Sequence, residues 1–301
     1  MIKNNIGYLL VAIAATFWGI CSIIVRMLLN YQLSVQTIVI WRIISAFIIL
    51  FPVVFFTNRK LLKIDRNGLI CIALTGIIIH FVGTFLHYSA IQKTSVAIAG
   101  SLLYTSPIFI TIMARIFYKE AFSSLKSLAL FFCILGCFFA VSGGSFDTFK
   151  LNLIGVLMGL GAGFSSALLT ILGKSIIKNY HQLTILVYSL GSGLLFGLPF
   201  SHPLEIFKTV LALKVWILLF SFGLISTVLA YGIHITGLSY GIEASKAGII
   251  LSLELVVSVV LSSLIFKEAL WGLKLIGILM VLFSAITVQV SNILSHRSSL
   301  S

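Results

Sequence analysis

The sequence predicts an all-α integral membrane protein, with ten transmembrane helices arranged as two inverted five-helix repeats. Three observations lead there. Of 301 residues, 60% are hydrophobic and only 9% charged, against roughly 25% charged in soluble domains. The sparse charged and His residues divide the chain into apolar blocks. Finally, "FYKEAFSSLK" at 117–126 nearly repeats as "IFKEALWGLK" at 265–274, with Lys119, Glu120, Ala121, Leu125 and Lys126 each matched 148 positions on.

In order, the blocks run 4–25, 36–57, 68–90, 94–114, 127–146, 151–173, 182–201, 215–240, 247–266 and 275–295. Each holds about 20 residues or more, and a helix of roughly 20 residues crosses a ~30 Å hydrocarbon core. Phe, Leu and Ile surround each block on all sides, unlike an amphipathic surface helix. Outer-membrane barrels would alternate apolar and polar residues in short strands, which these blocks do not. The first block exceeds a signal-peptide core and nine more follow it, so it reads as a retained helix.

Loop charge sets the orientation. With the N-terminus inside, the inner loops of the first half carry Lys3, Arg59, Lys60, Lys63, Arg66, Arg115, Lys119 and Lys126, and the outer loops only Arg26, Lys93 and Lys150. The second half is balanced, with Lys174, Lys178, Lys246 and Arg297 inside and Lys208, Lys214, Lys267 and Lys274 outside. The first half then places both termini in the cytoplasm of a multi-pass cell-membrane protein. The net charge of +13 is scattered between apolar blocks, as juxtamembrane charge is, and not gathered on one face as nucleic-acid binding requires. Cys21, Cys71, Cys133 and Cys137 all lie in apolar blocks without C-x-x-C spacing, so they read as small packing residues and not as a zinc or redox site.

The register of 148 extends beyond the twin stretches: Gly7 matches Gly155, Ala14 matches Ala162, Ala99-Gly100 matches Ala247-Gly248, and Arg26 pairs with Lys174. Five helices per half is an odd number, so the second half enters the membrane inverted. Inverted repeats mark secondary transporters, with the solute held where the halves meet.

At this point the chain resembles the EamA family of the drug/metabolite transporter superfamily, as two EamA-like repeats at 4–143 and 152–291. The resemblance rests on "FWG" at 17–19, Arg42 in the second helix, "SP" at 106–107 in the fourth, and "KEA" after the fourth and ninth. It implies export or exchange of amino acids, other metabolites or toxic compounds. One departure stands out: family members often carry Glu-Pro in the ninth helix, where this chain has Glu254-Leu255 while keeping Pro107 in the first half. A straighter ninth helix is expected.

Charged residues inside a membrane are costly and face a cavity or a partner. Arg42 and Glu254 are the two placed well inside spans. Arg42 lies near enough to its helix end to snorkel; its other reading is an anion ligand. Glu254 is too short to snorkel, and Ser258 and Ser262 extend a polar stripe from it. It suits proton coupling, a cationic solute group, or a hydrogen bond to a neighbouring helix.

Further stripes carry the other candidates. Gly76, His80, Gly83 and His87 share one face of the third helix, and Thr227, Tyr231 and His234 one face of the eighth. Trp18-Ser22-Arg26 in the first helix parallels Ser166-Thr170-Lys174 in the sixth. Each His reads either as an interhelical hydrogen bond or as a proton relay or solute contact. Tyr104 reads as a solute contact or a packed aromatic. Metal ligation has no support, since no His-x-x-x-His occurs and Cys and Asp are not grouped with His. G-x-x-x-G spacing in the sixth and seventh helices favours close helix pairing. "GLGAG" at 159–163 lies inside an apolar span and is no nucleotide loop.

The function expected is secondary transport of a small organic solute by alternating access, without a cofactor and with protons as candidate coupling ions. A multidrug or toxic-cation exporter is the alternative, and a lipid scramblase a further one. An intramembrane enzyme would need H-E-x-x-H, a buried Asp pair or a G-x-S-x-G elbow, and the sequence has none of these.

Overall fold

A computed structural model describes residues 2–29, 31, 33–94, 96–143, 152–207, 213–267 and 271–297. All regular structure among them is helical. Nine helical runs among the described residues are long and apolar enough to cross a membrane. They comprise α1 (Ile2–Leu29), α2 (Val35–Thr57), α3 and α4 (Arg66–Gly76 and Thr84–Lys93) joined by a π-helical segment Ile77–Gly83, and α5 and α6 (Val96–Leu103 and Ser106–Tyr118). Next come α7 (Ser124–Ser142), α8 (Leu153–Ile176), α9 (Gln182–Gly197), and α10 and α11 (Leu213–Phe222 and Ala230–Ser239) joined by a second π segment, Gly223–Leu229. The ninth run is α12 and α13 (Ala244–Leu251 and Leu253–Phe266). A final helix, α14 (Leu273–Arg297), has a described apolar part from Leu273 to Val288. Glu268, Ala269, Lys150 and Lys208 lie outside the described residues, as do the side chains of Lys3, Ser22 and Arg297.

Polar caps start the helices where the loops place them. Ser34, Asp65, Ser123 and Asn152 each accept a hydrogen bond from the backbone N–H three residues on, opening α2, α3, α7 and α8. Such caps satisfy N–H groups that no helical carbonyl reaches. Asp65 also accepts from the Tyr180 hydroxyl, tying the loop before α3 to the loop after α8. That hydrogen bond, with the one from the Gly68 amide, holds the Asp65 carboxyl below the usual carboxylate range.

Three backbone features recur at nearly constant spacing. Lys119 and Lys267, 148 positions apart, end α6 and α13 with φ of 54° and 56°. The left-handed region costs a non-glycine residue about 1–2 kcal/mol. At Lys119 that turn lets the Glu120 amide reach back to the Ala114 carbonyl at 3.3 Å, satisfying a carbonyl at the helix end. The fourth run breaks at Tyr104–Thr105 and the ninth at Ser252, and Tyr104 and Ser252 are again 148 apart. The π segments start 146 apart, at Ile77 and Gly223.

The ninth run corrects the expectation of a straighter helix. Leu255 is no proline, yet the helix breaks at Ser252. There the Ser252 amide donates to Ile249 O and the Leu255 amide to Ser252 O, both at 3.1 Å and both spanning three residues instead of four. The Ser252 hydroxyl leaves the helix for Cys133 Sγ, 2.9 Å away on α7. A polar side chain with an outside partner does here what Pro107 does in the first half.

The bundle has two ends. At the end where α1 begins, called proximal here, the Glu243 amide before α12 donates to the Tyr8 hydroxyl. At the distal end Arg26 of α1 donates to Ser262 Oγ of α13. Helices α7 and α14 pack flush because Gly277 admits the α7 backbone: a Cβ there would lie 2.3 Å from Ala140 N.

Candidate functional site

Arg42 is 6% exposed and turns into the bundle. Its Nη2 donates to the His80 carbonyl at 3.0 Å and to Thr84 Oγ1 at 3.1 Å, and its Nε has no partner. The snorkelling reading of Arg42 therefore fails: the guanidinium is spent on the run from α3 to α4, not on headgroups. The π segment explains part of this, since i→i+5 bonding offsets the carbonyl ladder and frees carbonyls for other donors. Among the described residues no carboxylate lies within ion-pair distance of Arg42.

An aromatic layer surrounds it. The His80 ring lies 4.7 Å from that of Tyr231, and Trp18 lies 5.0 Å from Tyr231 and 5.6 Å from His234. Trp18 is fixed by its Nε1, which donates to Ser226 O at 2.8 Å, a carbonyl of the second π segment. His80 Nε2 lies 3.3 Å from Ser189 Oγ, and His234 Nε2 lies 3.4 Å from Thr170 Oγ1. Both histidines thus bridge helices, and each keeps an unpartnered Nδ1. A small, mostly apolar cavity is lined by Ile79, Leu169, Ile176, Leu186 and Ile235 together with His80, Ser189 and Tyr231.

Glu254 stands in the first turn of α13, just past the break at Ser252. It is half-buried, and no described residue donates a hydrogen bond to its carboxylate. The interhelical hydrogen bond considered for it is therefore not formed. Helix α1 approaches closely because residue 19 is glycine: a Cβ there would lie 2.8 Å from Glu254 O and 2.6 Å from Val257 Cβ. Cys21, Tyr88 and Tyr231 each lie within electrostatic reach of both Arg42 and Glu254. These three residues thus lie near both the arginine of α2 and the glutamate of α13.

The remaining candidates divide. Tyr104 sits at the break between α5 and α6, within reach of Glu254. His87 does not join the aromatic layer; its ring neighbour is Tyr88 at 5.5 Å. The π segment breaks the stripe that helical spacing drew through it: Gly76 packs on Ser189 of α9, whereas Gly83 packs on Ser165 of α8. Ser166 forms no hydrogen bond with a described residue, and Ser165 instead donates to Ile78 O at 2.8 Å. Among the described residues no three His, Cys, Asp or Glu side chains gather to hold a metal.

In the first of the twin stretches, Glu120 is not an exposed loop charge. Its side chain is 8% exposed and pairs with Lys174 at 2.9 Å. Nearby, Lys126 and Lys246 both pair with Glu243. Lys126 and Lys246 are buried cations that the sequence reading left among loop charges. The partner of Lys126 lies 117 positions on, so no local spacing marked it, whereas Lys246 pairs with Glu243 within one helical turn.

A bundle of membrane-length helices with an arginine and a glutamate inside, the glutamate beside a helix break, is built as membrane transporters are. A model of the EamA-like transporter family matches residues 5–142 and again 153–289. The chain belongs to that family. It is 25% identical over 277 residues to an uncharacterized transporter of Archaeoglobus fulgidus, covering 92% of this chain and 93% of that protein. It is likewise 25% identical over 293 residues to the uncharacterized inner membrane transporter YicL of Salmonella typhimurium, covering 95% and 96%. A solved crystal structure of a protein with 14% identity superposes with a TM-score of 0.78 over 96% of this chain and 97% of the other, which shows the shared fold.

Proposed function

We propose that the protein is a secondary transporter that exports or exchanges an amino acid or related small organic solute across the cytoplasmic membrane by alternating access. The ten helices form two inverted five-helix repeats, at 4–143 and 152–291, with both termini cytoplasmic. The recurring left-handed lysines, helix breaks and π segments support the duplication.

One observation carries the solute class: a buried Arg42 without a carboxylate partner, near the same residues as Glu254. An uncompensated buried charge costs several kcal/mol. A solute carboxylate at the free Arg42 Nε would relieve that cost, and a solute ammonium would suit Glu254. Trp18, Tyr231 and His80 form the aromatic layer nearby. Glu254 exchanges a proton with the path when no solute ammonium holds it, which couples flux to pH.

The test is efflux of a labelled metabolite panel from everted vesicles, scored against vesicles without the protein, with fluorescent lipids as a parallel arm. Flux of a zwitterionic solute that is lost in Arg42→Gln supports the reading. Lipid flip without solute flux favours a scramblase, and flux of organic cations that survives Arg42→Gln favours a cation exporter.

A further inference from the structure

We propose that Glu120 is the gating residue of the proximal mouth, a carboxylate on one half of the chain that caps a helix of the other half and holds that mouth shut. The proposal rests on the alternating-access reading above and adds to it the group that sets the balance between its two states.

The geometry is that of a helix cap supplied in trans. Helix α12 starts after Glu243, whose own side chain makes no capping hydrogen bond. Ser, Thr, Asp or Asn would ordinarily accept from the first free N–H groups at such a position. Here Glu120 does so from 124 positions away: its Oε1 accepts from the Ala244 amide at 2.7 Å. Its Oε2 accepts from the Ser245 amide at 3.2 Å and from Ser245 Oγ at 2.5 Å. Lys174 Nζ, at the end of α8, completes the set at 2.9 Å from Oε1. Glu243, freed from capping, takes Lys126 and Lys246 instead.

Position matters as much as count. Glu120 is presented by the left-handed turn at Lys119, and its carbonyl accepts from Arg115 Nη1 at 3.3 Å. The loop holding it follows α6, whereas α8 and α12 both belong to the other half. Any motion that opens the proximal mouth between the halves must pull α12 from this carboxylate. The bonds are intact in the closed state and replaced by water in the open one, so they bias the equilibrium toward closure. Losing a hydrogen bond to a charged group is enough to move a two-state ratio about tenfold or more.

The test is a spin-label distance measurement across the mouth on the full-length purified protein. Labels are placed at Phe122→Cys and Tyr240→Cys, both exposed. The background carries Cys71→Ser, because Cys71 is exposed while Cys21, Cys133 and Cys137 are buried. The unmodified latch is expected to give one dominant short distance. Glu120→Ala should raise the ratio of long to short distances about tenfold. Ser245→Ala, which leaves the backbone amides in place, should shift it the same way by about two- to fivefold. An unchanged distribution in a folded Glu120→Ala protein overturns the proposal. If that variant does not fold, an unchanged distribution in Ser245→Ala overturns it equally. Flux separates the two readings: a distance shift without solute flux leaves the latch and removes the transporter, and flux without a shift does the reverse.

Discussion

Arg26 lies over the ring of Phe266, 4.0 Å from its centroid, and Lys174 lies over that of Tyr118 at 4.6 Å. Each residue is 148 positions from its counterpart, 26 to 174 and 118 to 266. A cation at the end of α1 therefore meets the end of α13, and a cation at the end of α8 meets the end of α6. The contacts sit at the distal and proximal ends respectively, as halves inverted on each other would place them. Partly exposed cation–aromatic contacts are worth about 0.5–1 kcal/mol. Arg26→Gln should widen a distal pair at Tyr31 and Leu264 by about two- to fivefold in population ratio. Lys174→Gln, which also removes the ion pair to Glu120, should widen the proximal label pair by at least as much. Both variants widening the same end would contradict the exchange.

Arg42 should not tolerate lysine. Its guanidinium reaches the His80 carbonyl and Thr84 at once while leaving Nε free. Both bonds come from Nη2, so a lysine ammonium could make them, but it has no second nitrogen to offer a solute carboxylate. Arg42→Lys should raise the apparent KM for a zwitterionic solute about tenfold or more, equivalent to about 1.4 kcal/mol, with protein yield and Tm near those of the parent. Equal KM values would remove Arg42 from the solute path.

Glu254→Gln keeps the shape of the side chain at the start of α13 and removes its proton exchange. Flux should persist in exchange mode and lose its dependence on an imposed pH gradient. Proteoliposome uptake with and without the gradient reads this directly. An intact gradient response in the variant would place coupling elsewhere.

The break at Ser252 makes a specific statement about proline. Leu255 donates its amide to Ser252 O in a three-residue bond at the start of α13. Proline early in a helix loses little, while proline in a helix interior costs about 3 kcal/mol. Leu255→Pro should lower the detergent Tm by a few degrees at most, and Val259→Pro by far more. Equal losses would mean that the ninth run is continuous.

The latch has a pH signature. Burial raises the Glu120 carboxyl, but hydrogen bonds from Ser245 and Lys174, the Lys174 charge and the Ala244 amide outweigh it, leaving the group below its ordinary value of 4.5. A lowered acid favours the latched state above the free-carboxyl value, and this bias disappears as pH falls through the latched value. Around it stand Lys174 of α8, Arg115 and Tyr118 of α6, Lys126 of α7, and Glu243 beside α12, with no histidine among them. The proximal distance should therefore hold from about pH 8 to about pH 5 and lengthen only below about 4.5. Opening between about pH 6 and 7 would assign the transition to another group.

Much of the architecture was legible because hydropathy is a local property. Nine of the ten blocks coincide with membrane-length helical runs among the described residues to within a few residues at their ends, for instance 68–90 against Arg66–Ile91. The breaks and π segments inside them were not foreseen. Glu254 and Arg42 stood out because charge inside an apolar block is rare. What escaped were features defined by distant partners. Nothing near Glu120 marks Ser245, 125 positions on, as its ligand. The first π segment packs Gly83 on Ser165 of α8 while Gly76 just before it packs on Ser189 of α9, away from the single face that regular helical spacing assigns them. The second packs Gly223 on Ser45 of α2. Ser252 breaks its helix by bonding Cys133 on α7, a contact with no signature in the ninth block itself.

The most direct measurement is counterflow in proteoliposomes carrying the purified protein, with a panel of labelled zwitterionic solutes and a matched Arg42→Gln control. The account expects at least one zwitterion to exchange with the parent protein and to fall to the empty-liposome level with the variant. No zwitterion exchanging, or exchange indifferent to Arg42, would contradict it.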